Sequence, residues 1–197
     1  MIQYPSIPGS KFAEPGREVY AFRKYDGSNL RFEYTKKKGW CKFGSRKRTF
    51  DHRDQQFGEV IDLFHDCYAE ELTERIQPYI PSTRVVVFME YLGDNSFAGS
   101  HFDEPKRLVL FDVHVKKKGL ISPTEFMHNF STLEFSQELI WKGVLTVDQI
   151  HEFQNTESLG EGVILKSDDG WYCKVKTNLY MKRLQDTFGI QWKNHWE

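Results

Sequence analysis

The segment KYDGSN places an amine, a carboxylate, a turn glycine and a carboxamide (Lys24, Asp26, Gly27, Asn29) within six positions. A lysine amine attacks an electrophile only when unprotonated. An unperturbed pKa near 10.4 leaves about one amine in a thousand in that form at pH 7.4. Lowering that pKa by about three units corresponds to roughly 4 kcal/mol of differential interaction. Neighbouring cations or a bound metal can supply it. Lys24 ends the apolar run EVYAFRK, so other strands could bring cations beside it. The same six residues also suit a surface lysine ahead of an Asp-Gly turn.

Other candidates lie on strand-like segments. Glu90 sits inside RVVVFMEYL, where a carboxylate is expensive unless it is paired. Asp112 in RLVLFDVHV is comparable and reads as a partner for a backbone or arginine group, while Phe111 beside it reads by pattern as core. Glu161 and Lys166 bound EGVILK. Lys174 and Lys176 alternate with Cys173, Val175 and Thr177 and so share one strand face, which a solvated edge would also explain. Histidines such as His52 and His65 match no zinc spacing and read as surface residues.

The positioning elements follow from periodicity. EVYAFRK (18–24), LRFEYT (30–35), WCKF (40–43), RVVVFMEYL (84–92) and RLVLFDVHV (107–115) read as strands, and EGVILKS (161–167) with WYCKVKT (171–177) as a hairpin turning at DDG. Residues 54–76 carry Phe57, Val60, Ile61, Phe64 and Tyr68 on one helical stripe. Ser122 with Glu125, and Thr146 with Gln149, have capping-box spacing, and Pro123 suits a first helical position. A last helix should follow Asn178. The first two dozen residues carry Pro5, Pro8, Gly9, Pro15 and Gly16 and read as a loop-rich lead-in to the first strand. Strands flanked by helices predict an α+β fold occupying residues 1–197 as one domain.

Composition narrows the function classes. The 197 residues are 39% hydrophobic and 15% aromatic, which excludes disorder, and a formal charge of -1 excludes coating of nucleic acid by bulk charge. Nucleic-acid contact would need a local basic face, for which the KKK runs at 36–38 and 116–118, RKR at 46–48 and the tail with Lys182, Arg183 and Lys193 are candidates. The triplets beside glycine also read as solvated turns. Three scattered cysteines, the lack of a basic-then-apolar leader and short apolar runs predict a cytoplasmic chain with no membrane contact.

KYDGSN resembles the K-x-D/H-G motif of covalent nucleotidyltransferases, the superfamily of DNA ligases, RNA ligases and capping enzymes. GSRKR (44–48), VFMEYLG (87–93), LVLFDV (108–113), EGVILK (161–166) and WYCKVK (171–176) resemble that superfamily's further motifs, in order along nearly the whole chain. Asn29, and the stretch NSFAGSHF (95–102), are similar to the RNA ligase 2-like family. The resemblance implies a nucleotidyltransferase (ATP-grasp-like ligase) domain of antiparallel sheets flanked by helices, with no OB-fold. Only about twenty residues follow Lys176. It also implies ATP as substrate, Mg²⁺ or Mn²⁺ as the ion, and a monomer acting on nucleic-acid ends, RNA before DNA. A minimal DNA nick ligase, a GTP-dependent capping enzyme and a nucleotide or nucleic-acid binding module that has lost turnover are the alternatives. Carried onto this chain, Lys24 is the nucleophile and Asp26 helps position or neutralise it. Asn29 and Arg46 (or Arg48) contact the nucleotide sugar or the incoming phosphate, Glu90 the ribose, and Phe111 stacks on adenine. Glu161 is the metal ligand. Lys166, Lys174 and Lys176 face the phosphates and lower the Lys24 pKa.

Overall fold

The computed structural model describes residues 1–82, 84–93 and 104–195. Along the chain, β1 (Glu18–Lys24), β2 (Ser28–Thr35), β3 (Gly39–Ser45) and β4 (Thr49–Phe50) precede α1 (Glu59–Cys67) and α2 (Ala69–Ile76). Next come β5 (Arg84–Leu92), β6 (Arg107–Val115), β7 (Gly119–Leu120), α3 (Pro123–Phe130) and β8 (Leu139–Val144). The chain continues through α4 (Val147–Asn155), β9 (Gly162–Lys166), β10 (Tyr172–Lys176) and α5 (Asn178–Phe188). The strands form two antiparallel sheets, one ordered β10-β9-β1-β8 and the other β4-β3-β2-β5-β6-β7.

Alternation along β2 and β5 decides which face of the larger sheet is dry. Leu30 and Phe32 point with Val85, Val87, Met89 and Tyr91 against Val60, Ile61 and Phe64 of α1 and Leu72 and Ile76 of α2. Phe32 stacks on Phe64 at 4.1 Å. Truncating either ring to alanine would cost about 3–5 kcal/mol. In the smaller sheet, Val19, Ala21, Val163, Leu165, Cys173 and Val175 pack against Leu145 and against Phe153 of α4. Each sheet thus spends one face on a core, and on the other face of the larger sheet Tyr4 covers Val86 and Phe88 in a smaller cluster.

The helix expected over 54–76 is two helices. Asp54 Oδ1 accepts from the amides of Gln56 and Phe57, holding 54–57 in a turn. At Tyr68 the φ of -130° breaks the helix, and the Tyr68 hydroxyl accepts from the amide of Leu108, 3.0 Å away. A tertiary bond thus interrupts a pattern that is locally continuous. The capping boxes form as expected: Ser122 Oγ accepts from the Glu125 amide at 3.3 Å and Thr146 Oγ1 from the Gln149 amide at 3.0 Å. Both KKK runs occupy turns, after β2 and after β6. No described helix is long and apolar enough to cross a membrane.

Candidate active site

Register builds the floor of a cleft. Across β1, β9 and β10, Lys24, Gly162 and Lys176 form one row, Phe22, Ile164 and Lys174 the next, and Tyr20, Lys166 and Tyr172 the third. Residues in a row share a face of the sheet, and this face is the one turned away from the α4 core. After Lys24 the chain passes through only Tyr25, Asp26 and Gly27 before entering β2 of the other sheet. The KYDGSN segment is therefore the bridge between two walls. Between them lies a cleft of about 590 Å³, and every site residue expected from the sequence lines it. Eight basic and three acidic side chains face this space, a balance suited to a polyanion.

At one end of the cleft, Lys24 Nζ lies 2.7 Å from Glu161 Oε2, and Lys176 Nζ lies 3.1 Å from Oε1 of the same carboxylate. Gly162 makes this fork possible. Its φ is +140°, and a Cβ there would stand 2.0 Å from the Val175 carbonyl oxygen. Asp26 is buried and accepts from the Tyr180 hydroxyl at 3.1 Å. Gly27 donates its amide to Glu90 Oε1 at 3.2 Å, and its own Cβ would meet the Tyr91 carbonyl at 2.4 Å.

Electrostatics at this end correct one expectation. Burial pulls the Lys24 amine down, but Glu161, Glu90 and Asp26 together outweigh it, so the pKa is raised above its ordinary value and not lowered. The resting Lys24 amine is an ammonium ion held by the Glu161 and Asp26 carboxylates, to which Glu90 adds its charge once it ionises near pH 8. Lys176 is lowered, by burial first and by Lys24 as well, against the opposing pull of Glu161. Glu90 is pushed up to about 8, because burial and the nearby Glu161 charge exceed the help from Lys24.

The other end is aromatic. β5 and β6 slip register between Phe88 and Met89, whose partners are Asp112 and Leu110, so Phe111 sits in a bulge with no residue opposite. A bulge re-aims its side chain. Phe111 is only half-buried and faces the cleft, with Tyr4 edge-on at 5.0 Å. Its carbonyl accepts from Lys166 Nζ at 2.7 Å and Gln137 Nε2 at 2.8 Å. Asp112 receives Lys166 Nζ at 3.0 Å and the Tyr4 hydroxyl at 2.8 Å on the same oxygen. Lys166 lies two rows from Lys24, so the register puts it beneath the aromatic platform and not beside Glu161. Burial lowers its pKa despite Asp112.

Between the ends, Asn29 Oδ1 is buried with no hydrogen-bond partner among the described residues. Arg46 and Arg48 both line the cleft. Arg48 is committed to an ion pair with Asp54, whereas Arg46 is exposed and forms no ion pair among the described residues. The structure thus separates two arginines that the basic run left equivalent. Lys174 is buried in the middle row, and its amide donates to the Pro8 carbonyl at 2.8 Å. NSFAGSHF at 95–102 and the Lys193 side chain lie outside the described residues.

Sequence reasoning missed Tyr4, Gln137 and Tyr180. Tyr4 stands in the proline-rich start that read as a loop, and a lone aromatic among breakers was the only signal. Tyr180 followed from nothing local, since its partner is 154 positions away.

A divalent ion fits this donor set in a restricted way. No group of three or more His, Cys, Asp or Glu side chains clusters for a metal among the described residues. Glu161 offers one carboxylate whose two oxygens both hold cations already. That suits a hard ion bound by one carboxylate together with phosphate oxygens and water.

Comparison with known proteins gives a family and a fold. A family model described as RNA ligase matches residues 17–183. A mutant of the Naegleria gruberi RNA ligase with ATP and Mn superposes with a TM-score of 0.71 at 17% identity, over 94% of this chain and 59% of that one. Another mutant of the same ligase, with AMP and Mn, gives a TM-score of 0.71 at 16% identity, over 93% and 58%. The same ligase with PPi gives 0.67 at 18% identity, over 87% and 53%. The chain thus spans little more than half the length of these ligases. A search of curated proteins by sequence gives no match.

Proposed function

The chain belongs to the RNA ligase family, and from that premise we propose that it joins RNA 3′-hydroxyl and 5′-phosphate ends with ATP, through AMP held on Lys24. The described unit is the adenylyltransferase part of that reaction, working as a monomer and accepting DNA less readily than RNA. One observation carries the reading. A lysine forked to Glu161 with Lys176 and a half-buried Phe111 held by Lys166 occupy opposite ends of one cleft.

The cleft suits ATP laid along its length. Phe111 stacks on the adenine, Glu90 and the unpartnered Asn29 oxygen take the ribose hydroxyls, and the triphosphate reaches the Lys24 end. Glu90 near pH 7 is largely protonated, so it can donate to a ribose oxygen as well as accept. Lys174 and Lys176 oppose the charge that builds on phosphorus. Glu161 would hold Mg²⁺ or Mn²⁺ with phosphate oxygens, and such an ion supplies positive charge at the reacting phosphorus. Glu161 supplies the largest attraction that keeps Lys24 protonated, and an ion held there would weaken it.

Lys24 Nζ, once deprotonated, forms a bond to the α-phosphorus as the bond to pyrophosphate breaks. The AMP then passes to the 5′-phosphate of an RNA end, freeing Nζ. The 3′-hydroxyl attacks that phosphate and expels AMP. Arg46, exposed at the cleft mouth, is the group placed to meet the incoming phosphate. Incubation with labelled ATP or GTP and Mg²⁺ or Mn²⁺ tests the reading. Covalent label from ATP, absent in Lys24→Ala and Lys24→Arg, is expected. Label from GTP alone, or label retained in either variant, would overturn it.

A further inference from the structure

The two lysine triplets are 80 residues apart in sequence and side by side in the fold. β2 runs into the turn at 36–38, β5 begins opposite its end at Arg84, and β6 returns into the turn at 116–118. Both turns therefore leave the same end of the larger sheet, separated by one strand, about 10 Å apart. The amide of Lys116 donates to the Arg84 carbonyl, fastening the second turn to that end. Asn29, near the Lys24 end of the cleft, marks the opposite end of β2, so the triplets lie about 23 Å from that end, and Lys116 about 17 Å along β6 from Phe111.

The charge there is not balanced internally. Lys42 and Arg84 share Glu33, at 3.5 and 3.7 Å, and Lys118 pairs with Glu125 at 2.5 Å. Lys36, Lys37, Lys38, Lys116 and Lys117 are exposed and form no ion pair among the described residues. The rim carries an excess of about six positive charges, and about 10 Å of duplex axis carries about six negative ones. Lys117 adds a second sign. It holds a φ of +75° at the third position of a turn closed by the Lys118 amide on the Val115 carbonyl. Glycine adopts that conformation freely, so the turn accepts backbone strain at a position that presents a cation.

We propose that this rim grips the phosphate backbone of the duplex flanking the joined ends. It rests on the ligase reading and adds a second contact to it. A duplex whose joined ends lie at the Lys24 end of the cleft reaches the rim after about seven base pairs, at 3.4 Å each. Contacts of this kind carry no sequence preference and weaken steeply with salt.

The test uses the full chain carrying Lys36→Ser, Lys37→Ser, Lys116→Ser and Lys117→Gly, the last compatible with the left-handed turn. Affinity for nicked RNA duplexes with arms of about 14 or about five base pairs is read across salt concentrations. For the long arms, affinity should fall about tenfold and the slope of log affinity against log salt by about 3 to 4. For the short arms, and for ATP labelling, the variant should match the parent. Unchanged long-arm affinity and slope, or an equal loss on short arms, would sink the rim. So would parent protein that binds phosphatidylserine vesicles through these lysines but not the long duplex. Absence of ATP label in both proteins would count against the ligase reading alone, since duplex binding is measured separately.

Discussion

The two ends of the cleft use the same device and obtain opposite results. Lys24 lies 2.7 Å from Glu161 and Lys166 3.0 Å from Asp112, both pairs largely withdrawn from water. Yet Lys24 is raised and Lys166 lowered. Burial pulls each amine down; the difference is that Lys24 feels three carboxylates and Lys166 one. A lysine-carboxylate contact therefore says little about protonation until the second carboxylate is counted. The Lys166 pair keeps only 3% and 2% of its side-chain surface at the cleft wall, whereas the Lys24 side chain keeps 22%.

The sharpest break of that contrast is Lys24→Ala, which should reduce ATP labelling to background while leaving the denaturation midpoint within about 1 kcal/mol of parent. A stability loss as large as the activity loss would deny Lys24 its separate status. Next, Glu161→Gln should lower labelling about 100-fold and move the resting Lys24 amine down. The pH profile of its reaction with an amine reagent, followed by peptide mass spectrometry, reads that shift; an unmoved profile contradicts the three-carboxylate account. At the aromatic end, Asp112→Ala should cost about 3–5 kcal/mol in a urea melt, because it strands a buried ammonium. Pairing it with Lys166→Met should recover most of the loss, and failure to recover would mean the pair is not framework.

Glu90 gives a subtler test. Its folded pKa of about 8 stands above its ordinary 4.5, so its stabilisation is complete below about pH 4.5 and is lost as pH rises through about 8. The melting temperature of parent relative to Glu90→Gln should therefore fall by a few degrees between pH 5 and pH 8.5. A flat difference removes the buried-acid reading. The smallest effect expected is Tyr4→Phe, about 1 kcal/mol in a urea melt from one hydroxyl on Asp112, with a raised KM for ATP.

These outcomes bear on residues that the sequence made legible to different degrees. β1, β2, β5, β6 and the β9-β10 hairpin were readable because apolar alternation and turn glycines are local signals, and the cleft lysines and glutamates sit on those strands. β8 was not, since LIWKGV is half-exposed along its length and owes its place to pairing with β1. The Phe111 bulge exists only in the pairing of β5 with β6. The direction of the Lys24 shift was misread for a related reason: Glu90, Asp26 and Glu161 become neighbours only once the two sheets meet. Tyr4 depends on contacts more than 80 positions away.

The three-residue bridge from β1 to β2 carries a final consequence. Side chains alternate along β2, and Gly27 has no room to shift against the Tyr91 carbonyl. One extra residue at 25–27 would turn Asn29 and Arg31 towards α1 and swing Leu30 and Phe32 into the cleft. The count of atoms between Lys24 and the opposite wall is thus itself a specification, as exacting as the identity of the lysine.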